Sequence, residues 1–231
     1  MLRLKIRRAI DSLFWRAAFY FRSSSSRRRA VFTRIYRENE WCDDESLSGP
    51  GSTIARGADF RTELLQLLRG FEIRSIVDAP CGDFNWMRSI VSHHVVPYVG
   101  VDIVEELVNA NTRRYASADR RFVCRDLTRD ELPKADLIVS RDAFVHMSFA
   151  DIGAAVRNFK RSGSRYVLAT TFVGDRANVD IPTGGWRVLN MQAPPLSFPA
   201  PLAIVDEHCT HSNGIYRDKR LGLWEIAALP E

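Results

Sequence analysis

The sequence predicts an α/β domain built on a doubly wound, mostly parallel β-sheet. Two apolar runs carry this prediction: Ile76–Asp78, which leads into a tight turn containing Gly82, and Tyr98–Asp102, which ends at a carboxylate 24 residues after Asp78. A strand, a glycine-containing turn and a second strand that ends in an acid are typical of the βαβ units of parallel sheets. The chain has 231 residues, of which 45% are hydrophobic, so it is long enough to bury the core of such a domain.

The remaining elements are expected in the order that this architecture requires. A helix is predicted over residues 55–68, with Ser52 or Thr53 as its N-cap. Another helix is predicted to begin near Ser148, where Ser148 and Asp151 form a variant of the capping box. Further strands are predicted over residues 121–127, 135–142, 165–171, 202–206 and 222–229.

The charges around the first turn distinguish between cofactors. A dinucleotide site requires G-x-G-x-x-G, because glycines let a pyrophosphate approach the backbone at a helix N-terminus. Here Pro80 and Phe84 replace the needed glycines, and Asp78 and Asp83 are expected to face the site. Carboxylates repel a pyrophosphate and favour a cationic ligand, whereas Asp102 suits the hydroxyls of a ribose. A cofactor with a ribose, an ammonium group and no phosphate fits these charges.

This pattern resembles the class I S-adenosylmethionine (SAM)-dependent methyltransferases, in which an acid and a spacer precede Gly-Cys-Gly-x-Gly or a variant. The chain keeps Asp78, Cys81 and Gly82 and departs from the pattern at Pro80 and Phe84. The resemblance spans roughly residues 53–171 and implies SAM as the cofactor and a seven-stranded sheet that ends in an antiparallel pair. The cofactor-binding residues that it implies are Asp78, Pro80, Cys81, Gly82, Asp83, Asp102, Ile103, Asp126, Leu127 and Arg141. Among these, Asp126 and the backbone of Leu127 are expected at the adenine amino group.

The catalytic candidates follow the fourth predicted strand, where the acceptor would approach. Methyl transfer from a sulfonium depends mainly on alignment, and a base is needed only when the acceptor must lose a proton. His146 is the candidate base, and Asp142 is expected to orient either that base or the methionine end of the cofactor. The alternatives are an inert, hydrogen-bonded His146 and an Asp142 that pairs with Arg141 or caps a helix.

Substrate-binding candidates lie in three irregular segments. Trp41 belongs to a glycine-rich loop, which is interpreted either as a cover over the cofactor or as a plain connector. Trp186 and Arg187 lie in a proline-rich segment, and Arg187 suits a carboxylate or phosphate unless that loop is merely well packed. His208 is expected at the mouth of the site. No metal site is expected, because no further cluster completes a tetrahedral set around His208.

The N-terminal residues 1–37 are predicted to be a basic helical arm with a serine–arginine hinge, and residues 38–231 to be the catalytic domain. Residues 1–40 hold 11 Lys/Arg and three acids, so the net charge of +5 comes from this arm and the remaining body is mildly acidic. Residues 2–21 are partly amphipathic, which favours either peripheral contact with an inner membrane face or packing on the body or on a sister subunit. Charged residues within that stretch exclude a membrane span. Residues 23–29 are interpreted as a flexible, solvated hinge.

The predicted function is SAM-dependent methyl transfer to a small molecule or a glycan. The alternatives are an oxidoreductase that binds NAD or a nucleotide sugar, and a non-catalytic SAM-fold module recruited to a membrane. A nucleic-acid acceptor is not expected, because residues 140–143 lack the Asn/Asp-Pro-Pro-aromatic tetrad and the body has no positive surplus. Four widely spaced cysteines indicate reduced thiols and a cytoplasmic protein. The sequence does not indicate an oligomeric state.

Overall fold

A computed structural model describes residues 24–94 and 96–230 of the chain. Its seven strands are β1 (Ile76–Asp78), β2 (Tyr98–Asp102), β3 (Arg120–Cys124), β4 (Leu137–Ser140), β5 (Tyr166–Phe172), β6 (Ala203–Asp206) and β7 (Lys219–Glu225). They form one sheet in the order β3-β2-β1-β4-β5-β7-β6. Strands β1 to β5 are parallel, whereas β7 is antiparallel to both of its neighbours. The predicted fold class is confirmed, including the antiparallel pair at one edge.

The helices of the described residues pack on both faces of this sheet. They are α1 (Ser24–Arg37), α2 (Ile54–Gly70), α3 (Met87–Val91), α4 (Glu105–Tyr115), α5 (Phe149–Ser162) and α6 (His211–Gly214). Two of them begin at the predicted caps. The Thr53 side chain accepts from the backbone N–H of Arg56 at the start of α2. The Ser148 side chain accepts from the N–H of Asp151 at the start of α5.

The hydrophobic core consists of two layers separated by the sheet. Successive strand residues point to opposite faces. Ile76 therefore packs with the buried side chains of α2, α3 and α4, whereas Val77 packs with those of α5. This arrangement leaves the carboxyl ends of β1 to β4 open at the top of the sheet, which is where ligands bind in such folds.

The serine–arginine run at residues 23–29 is not a flexible hinge in its described part, so that prediction was wrong. From Ser24 onward the run belongs to helix α1, and Arg28 is only 6% exposed. Phe32 and Tyr36, four and eight residues after Arg28, pack against the core. Tertiary contacts therefore override a composition that by itself favours a solvated linker.

The structure does not describe the rest of the predicted arm. Residues 2–21, for which membrane contact was predicted, lie outside the described residues, and the domain boundary after residue 37 stays a prediction. Within residues 24–94 and 96–230, no helix has the length and apolar character needed to cross a membrane.

Candidate active site

A cleft opens at the carboxyl ends of β1 to β4. Most residues that the sequence singled out line it, namely Trp41, Pro80, Cys81, Gly82, Asp102, Ile103, Asp126, Leu127, Arg141, Asp142 and His146. The remaining five candidates, Asp78, Asp83, Trp186, Arg187 and His208, are not among its lining residues. One cleft thus joins the predicted cofactor residues to the predicted catalytic pair.

Asp102 lies at the end of β2 and retains free acceptor capacity. Its Oδ2 accepts from the N–H of Gly82 (3.1 Å) and its Oδ1 from the N–H of Val104 (3.0 Å). The backbone N–H of Ile103 also bonds this carboxylate. Since a carboxylate accepts about four hydrogen bonds, Asp102 keeps capacity for about one bond from a ribose hydroxyl. Burial raises the pKa of Asp102 to about 6, although its backbone hydrogen bonds oppose this rise.

The turn after β1 is covered by the glycine-rich loop that contains Trp41. Gly82 has a φ of 51°, a left-handed conformation that favours glycine. A Cβ atom at Gly82 would lie 2.2 Å from Ser48 Oγ, so the loop packs directly on the turn. Trp41, Leu47, Ser48 and Ser52 all line the cleft. This contact accounts for the need for glycine at this position.

Asp83 holds this loop and does not face the cleft as predicted. Its carboxylate accepts from Ser46 Oγ (2.9 Å) and from the N–H of Leu47 (3.0 Å). Its own N–H donates to Ser48 Oγ at 2.9 Å. The prediction was wrong because the loop approaches from outside the turn and uses both polar groups of Asp83.

Asp78 is also withdrawn from the cleft, contrary to the prediction. It is 1% exposed, and its Oδ2 accepts from the hydroxyl of Tyr98 at 2.6 Å. Burial raises the pKa of Asp78 to about 7, while the Tyr98 hydrogen bond opposes the rise. Asp78 therefore lies beneath the first turn as a buried group that supports it.

Asp126 lines the cleft, but a side chain of helix α1 forms hydrogen bonds with its carboxylate. Arg28 donates to Asp126 Oδ2 through Nε (3.1 Å) and Nη2 (2.8 Å). Thr128 donates to Oδ1 through its backbone N–H (3.0 Å) and its hydroxyl (2.7 Å). Burial would raise the pKa of Asp126, but the hydrogen bonds from Arg28 and Thr128 hold it below its usual value.

Arg141 is part of a buried network that sequence reasoning missed. Its Nε and Nη2 donate to Glu207 Oε2 (3.2 and 2.6 Å), and Nη1 donates to the carbonyl of Gly51 (2.8 Å). Lys219 Nζ lies 3.1 Å from the same Glu207 oxygen and 2.7 Å from Asp142 Oδ2. Burial favours the neutral form of Asp142, but Lys219 and Arg141 hold its pKa well below the usual range. Glu207 and Lys219 are supplied by the β6–β7 pair, which no local pattern connects to Arg141.

His146 lies at the other end of the cleft from Asp126 and has a defined tautomer. Its Nδ1 is 2.7 Å from the carbonyl of Gly185, which can only accept, so Nδ1 carries a proton. Burial lowers the pKa of His146, against the opposing effects of the Gly185 bond and of Asp142. The ring is therefore neutral near pH 7, and Nε2 carries a lone pair. The indole of Trp41 packs on this imidazole with ring centroids 5.0 Å apart.

Arg187 is a structural clamp, so its predicted role as a ligand for a carboxylate or phosphate was wrong. Nη1 donates to the carbonyls of Phe144 (2.9 Å) and Val145 (3.0 Å), and Nη2 donates to that of Met147 (2.7 Å). These three carbonyls surround His146 in the chain. Arg187 therefore holds the turn that carries the candidate base.

Trp186 and His208 both lie outside the lining of the cleft. Trp186 is 48% exposed and packs against Tyr216 at a centroid distance of 5.1 Å. Its neighbour Gly185 bonds His146, so Trp186 lies beside the acceptor end. His208 pairs with Glu63 of helix α2 at 3.0 Å, and its place at the mouth stays a prediction.

Helix α1 contributes a wall of the cleft that sequence reasoning did not identify. Arg28, Phe32 and Tyr36 line the cleft from one face of the helix. The spacing of four residues between them was the available signal, but the neighbouring serines and arginines concealed it. In the described part of the chain, no group of three His, Cys, Asp or Glu side chains is arranged to hold a metal ion.

The chain is similar to one family of domains in sequence and to several solved structures in fold. Residues 76–163 match a family model described as a methyltransferase domain. No curated protein sequence matches the chain. Human N-acetylserotonin methyltransferase, solved in complex with SAM, superposes with a TM-score of 0.54 at 13% identity, covering 72% of this chain and 50% of that one.

Two further solved structures give weaker superpositions. LaPhzM is 11% identical, with a TM-score of 0.48 and coverage of 66% of this chain and 49% of that chain. The methyltransferase domain of bacterial CtHen1-CN is 12% identical, with a TM-score of 0.45 and coverage of 51% and 67%. The likeness to N-acetylserotonin methyltransferase, at 13% identity, shows the fold alone, and the chain spans about half the length of that protein.

Proposed function

We propose that the chain is a class I SAM-dependent methyltransferase, a premise supported by the family match over residues 76–163 and by the fold, and that it transfers a methyl group to a hydroxyl of a small-molecule or glycan acceptor. The family match and the fold support the predicted enzyme class and its cofactor. The acceptor and the roles of individual residues belong to the proposal. The observation that carries it is the bond from His146 Nδ1 to the Gly185 carbonyl, which leaves Nε2 as the basic nitrogen of a side chain that lines the cleft.

The cleft suits SAM, which supplies an activated methyl group when bound. Asp102 keeps acceptor capacity for a ribose hydroxyl beside its backbone hydrogen bonds. The turn at Pro80, Cys81 and Gly82 lets the ligand approach the backbone closely. Asp102 and Asp142 both line the cleft, and their carboxylates favour a ligand that bears an ammonium and a sulfonium group.

His146 is assigned as the general base that removes the proton of the acceptor hydroxyl. The Gly185 carbonyl keeps the proton on Nδ1, so Nε2 is the atom that accepts. Trp41 covers one face of the ring and limits the access of water. Its pKa lies below the usual value, so the ring is in its basic form at neutral pH.

Asp142 is assigned as an orienting group, because its environment prevents it from acting as a base. The ammonium of Lys219 at 2.7 Å and the nearby Arg141 stabilise its carboxylate form. Its negative charge stabilises the imidazolium that forms when His146 takes a proton. This division assigns proton transfer to His146 and electrostatic support to Asp142.

The surroundings of His146 favour a neutral acceptor with a flat or apolar face. Trp41 lies against the imidazole, and the exposed Trp186 packs on Tyr216 next to Gly185. Aromatic faces at a site mouth bind rings and apolar surfaces with little entropic cost. The nearby cations Arg141, Lys219 and Arg187 are already engaged by carboxylates or carbonyls, so a free cation for an acidic acceptor is not provided by them.

The cofactor assignment is tested by calorimetric binding of SAM, S-adenosylhomocysteine and NAD. We expect micromolar binding of the two adenosyl ligands, loss of this binding in Asp102→Ala, and no binding of NAD. The matched control is Asp119→Ala, because Asp119 is exposed. Binding of NAD alone would contradict the proposal.

The base is tested with His146→Gln and an acceptor found by a methyl-transfer screen. We expect kcat to fall by about 10²–10⁴, while the Kd of S-adenosylhomocysteine stays unchanged. In the unsubstituted chain the rate should rise with pH through an inflection below 6.5, the usual pKa of a histidine, and the variant should lose it. Unchanged turnover in the variant would exclude His146 as the base.

A further inference from the structure

The carboxylate of Asp126 has no acceptor capacity left for a ligand. Two N–H groups of Arg28 fill Oδ2, and the N–H and O–H of Thr128 fill Oδ1. Since a carboxylate accepts about four hydrogen bonds, these four donors saturate it. Asp102, by contrast, accepts from three backbone N–H groups, those of Gly82, Ile103 and Val104, and keeps capacity for a ligand. The two acids of the cofactor end therefore differ in what they can still bind.

Arg28 is built into the molecule at this position. Its side chain is 7% exposed, and besides Asp126 it binds Asp151 Oδ1 through Nη1 at 2.7 Å. Asp151 in turn accepts from the hydroxyl of Thr183 at 2.5 Å. A buried guanidinium between two carboxylates is shielded from solvent and salt, so this junction is not an incidental surface pair.

We propose that Arg28 takes the place of the nucleobase as the partner of Asp126, so that this chain does not recognise the adenine amino group through that acid. The inference rests on the proposed cofactor site. Helix α1 closes the nucleobase end of the cleft, with Arg28, Phe32 and Tyr36 on its inner face. The adenine ring is held by the apolar surfaces of Ile103 and Leu127, which recognise its shape and do not bind its amino group.

We therefore expect the site to discriminate only weakly between an amino group and a carbonyl at position 6 of the purine. A free carboxylate would accept from the amino group of adenine and repel the carbonyl of hypoxanthine. A hydrogen bond to a charged group contributes at least about tenfold to affinity. With Asp126 neutralised by Arg28, that discrimination is absent.

The test compares the Kd of S-adenosylhomocysteine with that of S-inosylhomocysteine, its hypoxanthine analogue, for the full chain. We expect the two values to agree within about threefold, a difference close to thermal energy. Asp126→Asn should leave their ratio unchanged, whereas Arg28→Met should free the carboxylate and create a preference for the adenine ligand. Arg37→Ala is the control, because Arg37 lies on the same helix in an exposed pair with Glu106.

The outcomes separate the two proposals. Binding of neither ligand would overturn the proposed cofactor site and this inference with it. Binding of both with a preference for adenine above about tenfold, abolished by Asp126→Asn, would show that the base displaces Arg28 and would overturn this inference alone. If Arg28→Met does not fold, the ratios for the unsubstituted chain and for Asp126→Asn still decide the question.

Discussion

Replacing Asp78 by asparagine should stabilise the protein at alkaline pH and much less at acidic pH. Asp78 is 1% exposed, and burial raises its pKa from 3.8 to about 7 in the folded chain. The folded state therefore binds a proton that the unfolded state has released. Stability contributed by this group is lost as the pH rises from about 4 to about 7. Asparagine cannot ionise, and its side-chain oxygen can still accept from Tyr98.

The magnitude follows from the width of that interval. One pKa unit corresponds to about 1.4 kcal/mol. Between pH 5 and pH 8, the unsubstituted chain loses stability mainly over the roughly two pH units that lie below the folded-state pKa of Asp78. The stability advantage of the variant should thus grow by about 2–3 kcal/mol over this range. Asp102, whose pKa is also raised, is present in both proteins, so its contribution largely cancels in the difference.

Urea unfolding of both proteins at pH 5, 6.5 and 8 measures this difference. The exposed Asp119→Asn variant is the control for the removal of one acid. The hydrogen bond from Tyr98 opposes the pKa rise of Asp78. Tyr98→Phe should therefore lower stability more at pH 8 than at pH 5. A stability change in Asp78→Asn that is the same at all three pH values would refute the reasoning.

Three further substitutions test the supports of the site. Gly82→Ala places a Cβ 2.2 Å from Ser48 Oγ and should weaken S-adenosylhomocysteine binding by at least about tenfold; Gly70→Ala, which meets no atom within 4 Å, should not. Arg187→Met removes three hydrogen bonds and leaves the carbonyl of Met147 without a donor, while those of Phe144 and Val145 keep a backbone N–H. We expect kcat to fall and the free energy of unfolding to drop by about 2–4 kcal/mol in denaturant titrations. An unchanged Kd for S-adenosylhomocysteine would indicate that the effect is local. Ser148→Ala removes an N-cap and should cost about 1 kcal/mol in the same titrations, and no loss would mean that the cap is redundant.

The predictable part of this protein is the part encoded by local signals. The strand that ends at Asp102, the glycine turn at Gly82 and the helix caps Thr53 and Ser148 each depend on a few adjacent residues. Steric and hydrogen-bonding preferences of neighbouring residues largely determine these features. The order of strands then follows from the handedness and short connections of βαβ units.

The errors have a common origin in partners that are remote in sequence. Asp83 and Arg187 carry the charges expected of ligand-binding groups. However, Asp83 binds groups of the loop at residues 39–53. Arg187 binds three backbone carbonyls that lie more than 39 residues away in the chain. Residue type indicates what a side chain can bind. It does not indicate which competing partner reaches that side chain in the folded chain.

The sequence by itself determined the fold class, the enzyme class and the positions of Asp102 and Gly82, because these follow from patterns within single βαβ units. Only the tertiary structure decided that Arg28 occupies Asp126, 98 residues away, and that Glu207 binds Arg141, 66 residues away. Both are charge pairs between elements that become neighbours only after the sheet has assembled. Their free energy depends on burial and geometry in three dimensions, which a linear pattern of charges does not contain.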